Sequence, residues 1–303
     1  MSSPTEAVRD QAIPLVGTRQ RLADFLALAK PRVVLMVVLT TLVGYYLGAT
    51  ANLDYLRLIH LLVGTALAAG GTLALNQFLE RDVDAQMLRT RMRPLPDGRL
   101  QPGEAAAFGS LVTFGGLAYL LITVGPGATA ITAATAALYL GVYTPLKLVS
   151  PLCTVLGAIP GALPPVAGWV AARGELGVGA AVLFAILFLW QLPHTLAIAR
   201  LYRDDYARAG IRVLPVVDPE GGSTERQIVT GSLALHAAAL LPTLVGLTGG
   251  VYFFGALVLG ALFLVTGAAQ ALRPSIPAAR RVVIASIIYL PLLLALMALD
   301  KVG

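Results

Sequence analysis

Charge is scarce in this 303-residue chain. Only 22 Lys/Arg and 16 Asp/Glu occur, together 13% of residues, while 57% are hydrophobic. A soluble domain carries about 25% charged residues, so composition argues against a soluble globular protein. The mean hydropathy of +0.79 agrees. Histidine occurs three times and cysteine once, at Cys153. No intrachain disulfide can form, and Cys153 reads as a small packing residue. The first 32 residues contain no apolar core of signal-peptide length, so no cleavable signal is expected. Glu6, Asp10 and Asp24 argue against a mitochondrial transit peptide. The net charge of +6 does not point to nucleic acid. The arginines fall in short stretches between long apolar runs, where membrane topology explains them.

Those runs are continuous rather than alternating, which favours helices over a barrel. Nine spans are predicted, near 33–49, 59–79, 105–123, 128–143, 152–172, 179–199, 227–247, 251–271 and 281–299. Each is long enough to cross about 30 Å of hydrocarbon with some tilt. With the N-terminus in the cytoplasm, 19 of the 22 Lys/Arg lie on the inside and 3 on the outside. That asymmetry supports nine spans with the C-terminus outside. Residues 1–24 read as a mobile tail and 25–303 as one nine-helix domain. The fold class is all-α and polytopic. Pro160, Pro164 and Pro165 should break or kink the fifth span. Lipid tolerates broken backbone poorly, so this span should pack inside the bundle.

Few acids remain to be placed, and three fall within five residues: Glu80, Asp82 and Asp84. They follow the second span directly, and Arg89, Arg91 and Arg93 come soon after. Asn76, Glu80 and Asp84 are spaced i, i+4, i+8. A continuing helix puts them on one face, about 6 Å apart per step. Stacked carboxylates repel unless a cation lies between them. Mg²⁺ suits, being oxygen-seeking and prone to bridge carboxylates to phosphates. Arg89 and Arg93 can grip a phosphate. Asp82 and Arg91 read as bystanders. The plainer alternative is a solvated loop with stacked ion pairs.

The stretch from Arg200 to Pro215 repeats this chemistry after the sixth span. Asp204 and Asp205 stand among Arg203, Arg208 and Arg212. Two acid-plus-arginine loops on one membrane face favour a site over a solvated face. Gly210 would allow a tight turn with amides facing an anion.

Asn76-x3-Glu80-x-Asp82-x-Asp84, with Arg89-Thr90-x2-Arg93-Pro94, resembles the first aspartate-rich motif of the UbiA-type intramembrane prenyltransferases. Trp190-Gln191-x-Pro193-His194, the run Tyr202 to Gly210, and Leu214-Pro215 resemble the heme O synthase branch. So do Tyr143-Thr144-Pro145-Leu146-Lys147 and the stretch from Gly157 to Pro165. The resemblance runs from Lys30 to the last span. It implies nine helices around a central cavity, with heme b and farnesyl diphosphate as substrates and Mg²⁺ as cofactor. Asn76, Glu80, Asp84, Asp204 and Asp205 would serve the metal and catalysis. Arg89, Arg93, Lys147, Arg203 and Arg208 would hold the diphosphate. His194 would either touch the porphyrin or be a buried histidine bonded to a backbone carbonyl of a neighbouring helix, and a heme A-forming enzyme or an oxidase assembly factor would be a partner. A multi-pass protein of the cell inner membrane, with its site facing the cytoplasm, is expected.

There are departures from the pattern. Glu80 stands where aspartate is usual, and Tyr202 and Tyr206 replace outer aspartates of other branches. Cys153 replaces an asparagine. The basic run after Tyr143 is reduced to Lys147, which is given a smaller role than Arg208. His60 and His236 read as structural. Three rival readings are a prenyltransferase for a quinone head group such as 4-hydroxybenzoate, a transporter and, the weakest of them, a non-enzymatic assembly factor for an oxidase. Acids at span ends rather than at midplane weigh against transport.

Overall fold

A computed structural model describes residues 17–50, 52–219 and 222–302. Among these residues, nine helices are long and apolar enough to cross a membrane. They are Pro31–Gly48, Tyr55–Leu79, Pro102–Thr123, Pro126–Leu146, Cys153–Arg173, Val178–Leu201, Gly222–Leu244, Gly250–Leu272 and Ile276–Leu299. Each coincides with a predicted span, with its ends moved by a few residues. Pro31, Pro102 and Pro126 stand in the first turn of their helices, where an N–H would have no partner.

The expected tail over 1–24 lies outside the described residues as far as 16. Beyond that the expectation needs correction, because Thr18–Leu28 is a helix. A buried carboxylate fixes it in place. Asp24 is 2% exposed and pairs with Arg99 at 2.5 Å. Gln77 Nε2 also donates to the carbonyl of Leu28 at 2.7 Å. The helix therefore packs against the loop that follows the second span.

The fifth span is broken as its prolines require. It forms two helices, Cys153–Ala162 and Pro164–Arg173, which meet at Leu163. Every residue from Pro164 to Ala171 is buried. The first span crosses it with almost no side chain between. A Cβ at Gly44 would run into the Pro165 carbonyl, and one at Gly168 into the Thr41 carbonyl. Small residues permit this approach, and in lipid such close packing drives helix association. The second span packs mainly on the third. The sixth packs on the seventh and ninth, and the eighth closes that group. Lys301 joins the two ends of the helical domain, its Nζ donating to the carbonyls of Tyr46 (2.8 Å) and Ala49 (2.6 Å).

The two charged loops meet at one end of the bundle. Met87 from the first loop is buried among Cys153, Ala199, Ala209, Ile211 and Val213. An apolar plug thus holds together two segments that are otherwise the most polar in the chain.

Candidate active site

The second span leaves helical geometry at Glu80 (φ −94°, ψ 5°), and one more turn follows over Arg81–Asp84. Two hydrogen bonds carry the register across this break. Glu80 N donates to Asn76 O at 2.9 Å and Asp84 N to Glu80 O at 2.7 Å. Asn76, Glu80 and Asp84 consequently share a face, and all three line a polar chamber of about 190 Å³. Asp82 turns outward with its side chain 82% exposed, and Arg91 is exposed as well.

Each member of this face meets a cation. Lys147 Nζ lies 2.6 Å from Glu80 Oε1, and Arg93 Nη1 lies 2.6 Å from Asp84 Oδ2. Lys30 Nζ donates to Asn76 Oδ1 at 3.2 Å, while Asn76 Nδ2 donates to Thr144 Oγ1 at 3.1 Å. Arg89 also lines the chamber, its guanidinium 5.1 Å above the ring of Tyr202. Burial, with Arg93 and Lys147 nearby, pushes the Lys30 ammonium down to about 7. Burial also works against the Lys147 charge. There the Tyr143 and Glu80 oxygens outweigh it, and the group is held above its ordinary value.

The polar chamber continues into an apolar one of about 240 Å³. Tyr139, Tyr143, Thr154 and Thr195 line both. The two tyrosines sit at the ends of a single π-helical turn, Tyr139–Tyr143, of the fourth span. Such turns are frequent at functional sites because they shift side chains out of helical register.

The second motif contributes differently from the expectation. Asp204, Asp205, Arg203 and Arg208 line a separate cleft, and Tyr206 is the residue of their short helix, Arg203–Arg208, that reaches the chamber. Residues on a helix are about 100° apart. With Tyr206 inward, Asp205 is turned by one step and Asp204 by two. Asp204 is exposed. Asp205 accepts from the backbone amides of Leu88 and Arg89, both at 3.2 Å, and from Arg208 Nη1 at 2.8 Å. Desolvation opposes its charge, but these donors prevail and hold the carboxyl below its ordinary value. Asp205 therefore ties the second loop to the first. Arg203 Nη1 donates to the Pro219 carbonyl at 3.4 Å. Gly210 does form a turn (φ 68°), but its amide donates to Ala207 O and that of Ile211 to Tyr206 O. These amides close the helix instead of facing an anion. Lys147 is central to the chamber where a smaller role than that of Arg208 was expected.

His194 faces away from both chambers. Its Nδ1 lies 2.6 Å from Ser286 Oγ on the ninth span, and its ring stacks on Trp190 at 4.7 Å. Gln191 and Thr195, its neighbours along the helix, line the apolar chamber instead. The structure does not bring His194 together with the other candidate residues. Among the described residues, no three His, Cys, Asp or Glu gather closely enough to hold a metal ion by themselves.

A sequence profile of the UbiA prenyltransferase family matches residues 37–297. The chain belongs to this family. It is a prenyltransferase. Proteins named protoheme IX farnesyltransferase are similar along nearly the whole length. That of Solibacter usitatus is 47% identical, covering 92% of this chain and 99% of the relative. That of Koribacter versatilis is 43% identical, covering 99% of each. Among solved structures, a digeranylgeranylglyceryl phosphate synthase superposes with a TM-score of 0.78 at 17% identity, over 93% of this chain and 98% of that one. A UbiA homologue from Archaeoglobus fulgidus bound to GPP and Mg²⁺ gives 0.64 at 18% identity, over 90% and 99%. These two show the shared fold.

Sequence reasoning gave no site role to Lys30, Tyr143 or Tyr206, all of which line the polar chamber. Lys30 read as one more topological charge before Pro31. The signal present was its position, one residue ahead of a helix-starting proline. It is the only non-glycine residue with positive φ among those described (49°). That turn between helices sends its side chain inward to Asn76.

Proposed function

We propose that this prenyltransferase transfers the farnesyl group of farnesyl diphosphate to a vinyl group of heme b, giving heme O. One observation carries the reading: the cation-lined polar chamber opens directly into an apolar one, as a diphosphate with a long isoprenoid tail demands. The names of the relatives, similar along nearly the whole chain, supply the acceptor.

The donor set suits magnesium. Asn76, Glu80 and Asp84 present hard oxygens on one face, too few for an all-protein cage, and Mg²⁺ commonly takes one or two carboxylates together with substrate phosphates and waters. Those three residues would hold it. When bound, it would neutralise charge on the leaving diphosphate.

The protein's own groups account for the rest. Lys30, Arg89, Arg93 and Lys147 form a cationic wall around the diphosphate. In the free protein, Glu80 and Asp84 hold Lys147 and Arg93 in position. The cations are thus placed before charge develops, and preorganisation of this kind stabilises a transition state. As the C1–O bond breaks, the diphosphate keeps the electron pair and an allylic cation remains. Tyr139 and Tyr143 lie at the chamber junction, where their ring faces can stabilise a cation. The apolar chamber excludes water and holds the tail. The terminal vinyl carbon of heme attacks C1, leaving a cation on the carbon next to the porphyrin. Water adds there and loses a proton, giving a hydroxyethylfarnesyl side chain. No strong base is required for ionisation, in keeping with a chamber free of histidine.

The Lys/Arg asymmetry supports placing both loops, and so the active site, on the cytoplasmic side of the cell inner membrane. The test is incubation of purified protein with heme b, farnesyl diphosphate and Mg²⁺, followed by mass analysis. Farnesylated heme should form and should vanish with EDTA. Prenylation of 4-hydroxybenzoate with heme untouched would refute the assignment.

A further inference from the structure

The proposed donor occupies two spaces, its diphosphate in the polar chamber and its tail in the apolar one. The tetrapyrrole acceptor needs a place of its own beside them. Its vinyl carbon must nevertheless reach C1 of the prenyl group, where the two chambers meet.

A third space borders the polar chamber from the side of the bundle, along Leu140 and Gly141 of the same turn whose end residues, Tyr139 and Tyr143, line that junction. It measures about 310 Å³ and lies between the end of the second span and the π-helical turn of the fourth. Leu79, Val83, Leu140, Gly141, Pro145 and Leu148 give it an apolar surface. Leu79 and Leu148 are about half exposed (50% and 46%), so the groove faces outward. Its inner wall also belongs to the polar chamber, since Glu80, Val83, Lys147 and Ile211 line both. The cleft around Asp204, in contrast, shares no lining residue with the polar chamber. The partition contains the 2.6 Å ion pair between Lys147 and Glu80. At the loop end of the groove, the Arg212 amide donates to the Lys147 carbonyl at 2.7 Å, and the Arg212 side chain is exposed.

From this arrangement we propose that the lateral groove is the docking site of the acceptor, a flat apolar tetrapyrrole bearing carboxylates. The proposal rests on the function given above. The macrocycle lies against Leu79, Leu140 and Gly141 with its carboxylates toward Arg212, and its vinyl edge faces the Lys147–Glu80 pair. An incoming diphosphate competes for Lys147 and loosens that pair, so the donor binds before the acceptor can react. Continuity with the polar chamber, an apolar face and an exposed arginine held beside Lys147 together match this occupant.

Gly141 allows a direct test. A Cβ there meets nothing within 4 Å and the position is exposed, so a larger side chain has room to extend into the groove. In detergent, Gly141→Trp should raise KM for heme b at least tenfold while leaving farnesyl diphosphate affinity within twofold. Gly141→Cys guards against misfolding, because the purified protein is modified only after it has folded. Maleimide labelling of the introduced thiol should abolish heme farnesylation but spare donor binding. Bound heme should slow the labelling, and the buried Cys153 should not react. Wild-type activity with unchanged heme KM in Gly141→Trp, or labelling that heme does not slow, overturns the groove. Wild-type protein that leaves heme untouched overturns the acceptor itself, and with it this occupant.

Discussion

Asp205 on the second loop receives the backbone amides of Leu88 and Arg89 on the first, both at 3.2 Å. This carboxylate, a metal-ligand candidate in sequence, holds the two halves of the site in register in the structure. It fixes the backbone from which Arg89 reaches the chamber.

Asp205→Asn should therefore impair catalysis by displacement of Arg89. An asparagine can accept only one of the two amides, and loss of charge-assisted hydrogen bonds of this kind costs about 1.5–3 kcal/mol. A fall in kcat/KM of roughly ten- to a hundredfold is expected, whereas the exposed Asp204→Asn should stay within threefold. Equal losses for the two variants would restore the ligand reading. The folded carboxyl of Asp205 is held below its ordinary value of 3.8. Its tether is intact above that value and fails only as pH falls through the lower, folded one. Steady-state rates between pH 5 and 8 should show no contribution from it.

Glu80 and Asp84 carry a stronger expectation. Glu80→Gln or Asp84→Asn should lower kcat by about 10²- to 10³-fold, the size seen when one preorganised electrostatic contact is lost. Size-exclusion profiles should stay normal. Asp82→Asn, whose side chain points outward, should leave the rate unchanged. A comparable loss for Asp82→Asn would mean that the working face has been misassigned.

Lys30 predicts a pH effect on donor binding. Its ammonium titrates at about 7 in the free protein. A bound diphosphate raises that value, so binding takes up a proton. Affinity is then greatest below pH 7 and declines as pH climbs toward the raised, bound value. Calorimetry in buffers of different ionisation enthalpy should detect the uptake near pH 7.5. Lys30→Met should abolish the uptake and weaken farnesyl diphosphate binding by about tenfold, near the low end for a charge-assisted bond. Unaltered uptake in that variant would assign the proton elsewhere.

His194 separates a heme contact from a structural role. His194→Ala removes the bond to Ser286 and the stack on Trp190. A stability loss of about 1–2 kcal/mol is expected from these contacts, with kcat within threefold of wild type. The absorption spectrum of bound heme should not move. A shifted Soret band would show that the imidazole reaches the iron.

The nine spans and the shared face of Asn76, Glu80 and Asp84 were legible from sequence because both are local. A long apolar run must satisfy its own backbone as a helix. Spacing of i, i+4, i+8 then places Asn76, Glu80 and Asp84 together whatever surrounds them. The charges that meet this face come from far along the chain: Lys30 lies 46 residues from Asn76, and Lys147 lies 67 from Glu80. Those pairings depend on how helices dock, and docking follows packing at positions such as Gly44 against Pro165. The sixth span shows the limit most clearly. It is apolar on nearly every side, so no periodicity marks which face turns inward. Only its neighbours decide that Thr195 lines the chamber while His194 meets Ser286. The same holds at Tyr206, where the docked rotation of a short helix puts a phenol inside and leaves Asp204 and Asp205 facing another cleft.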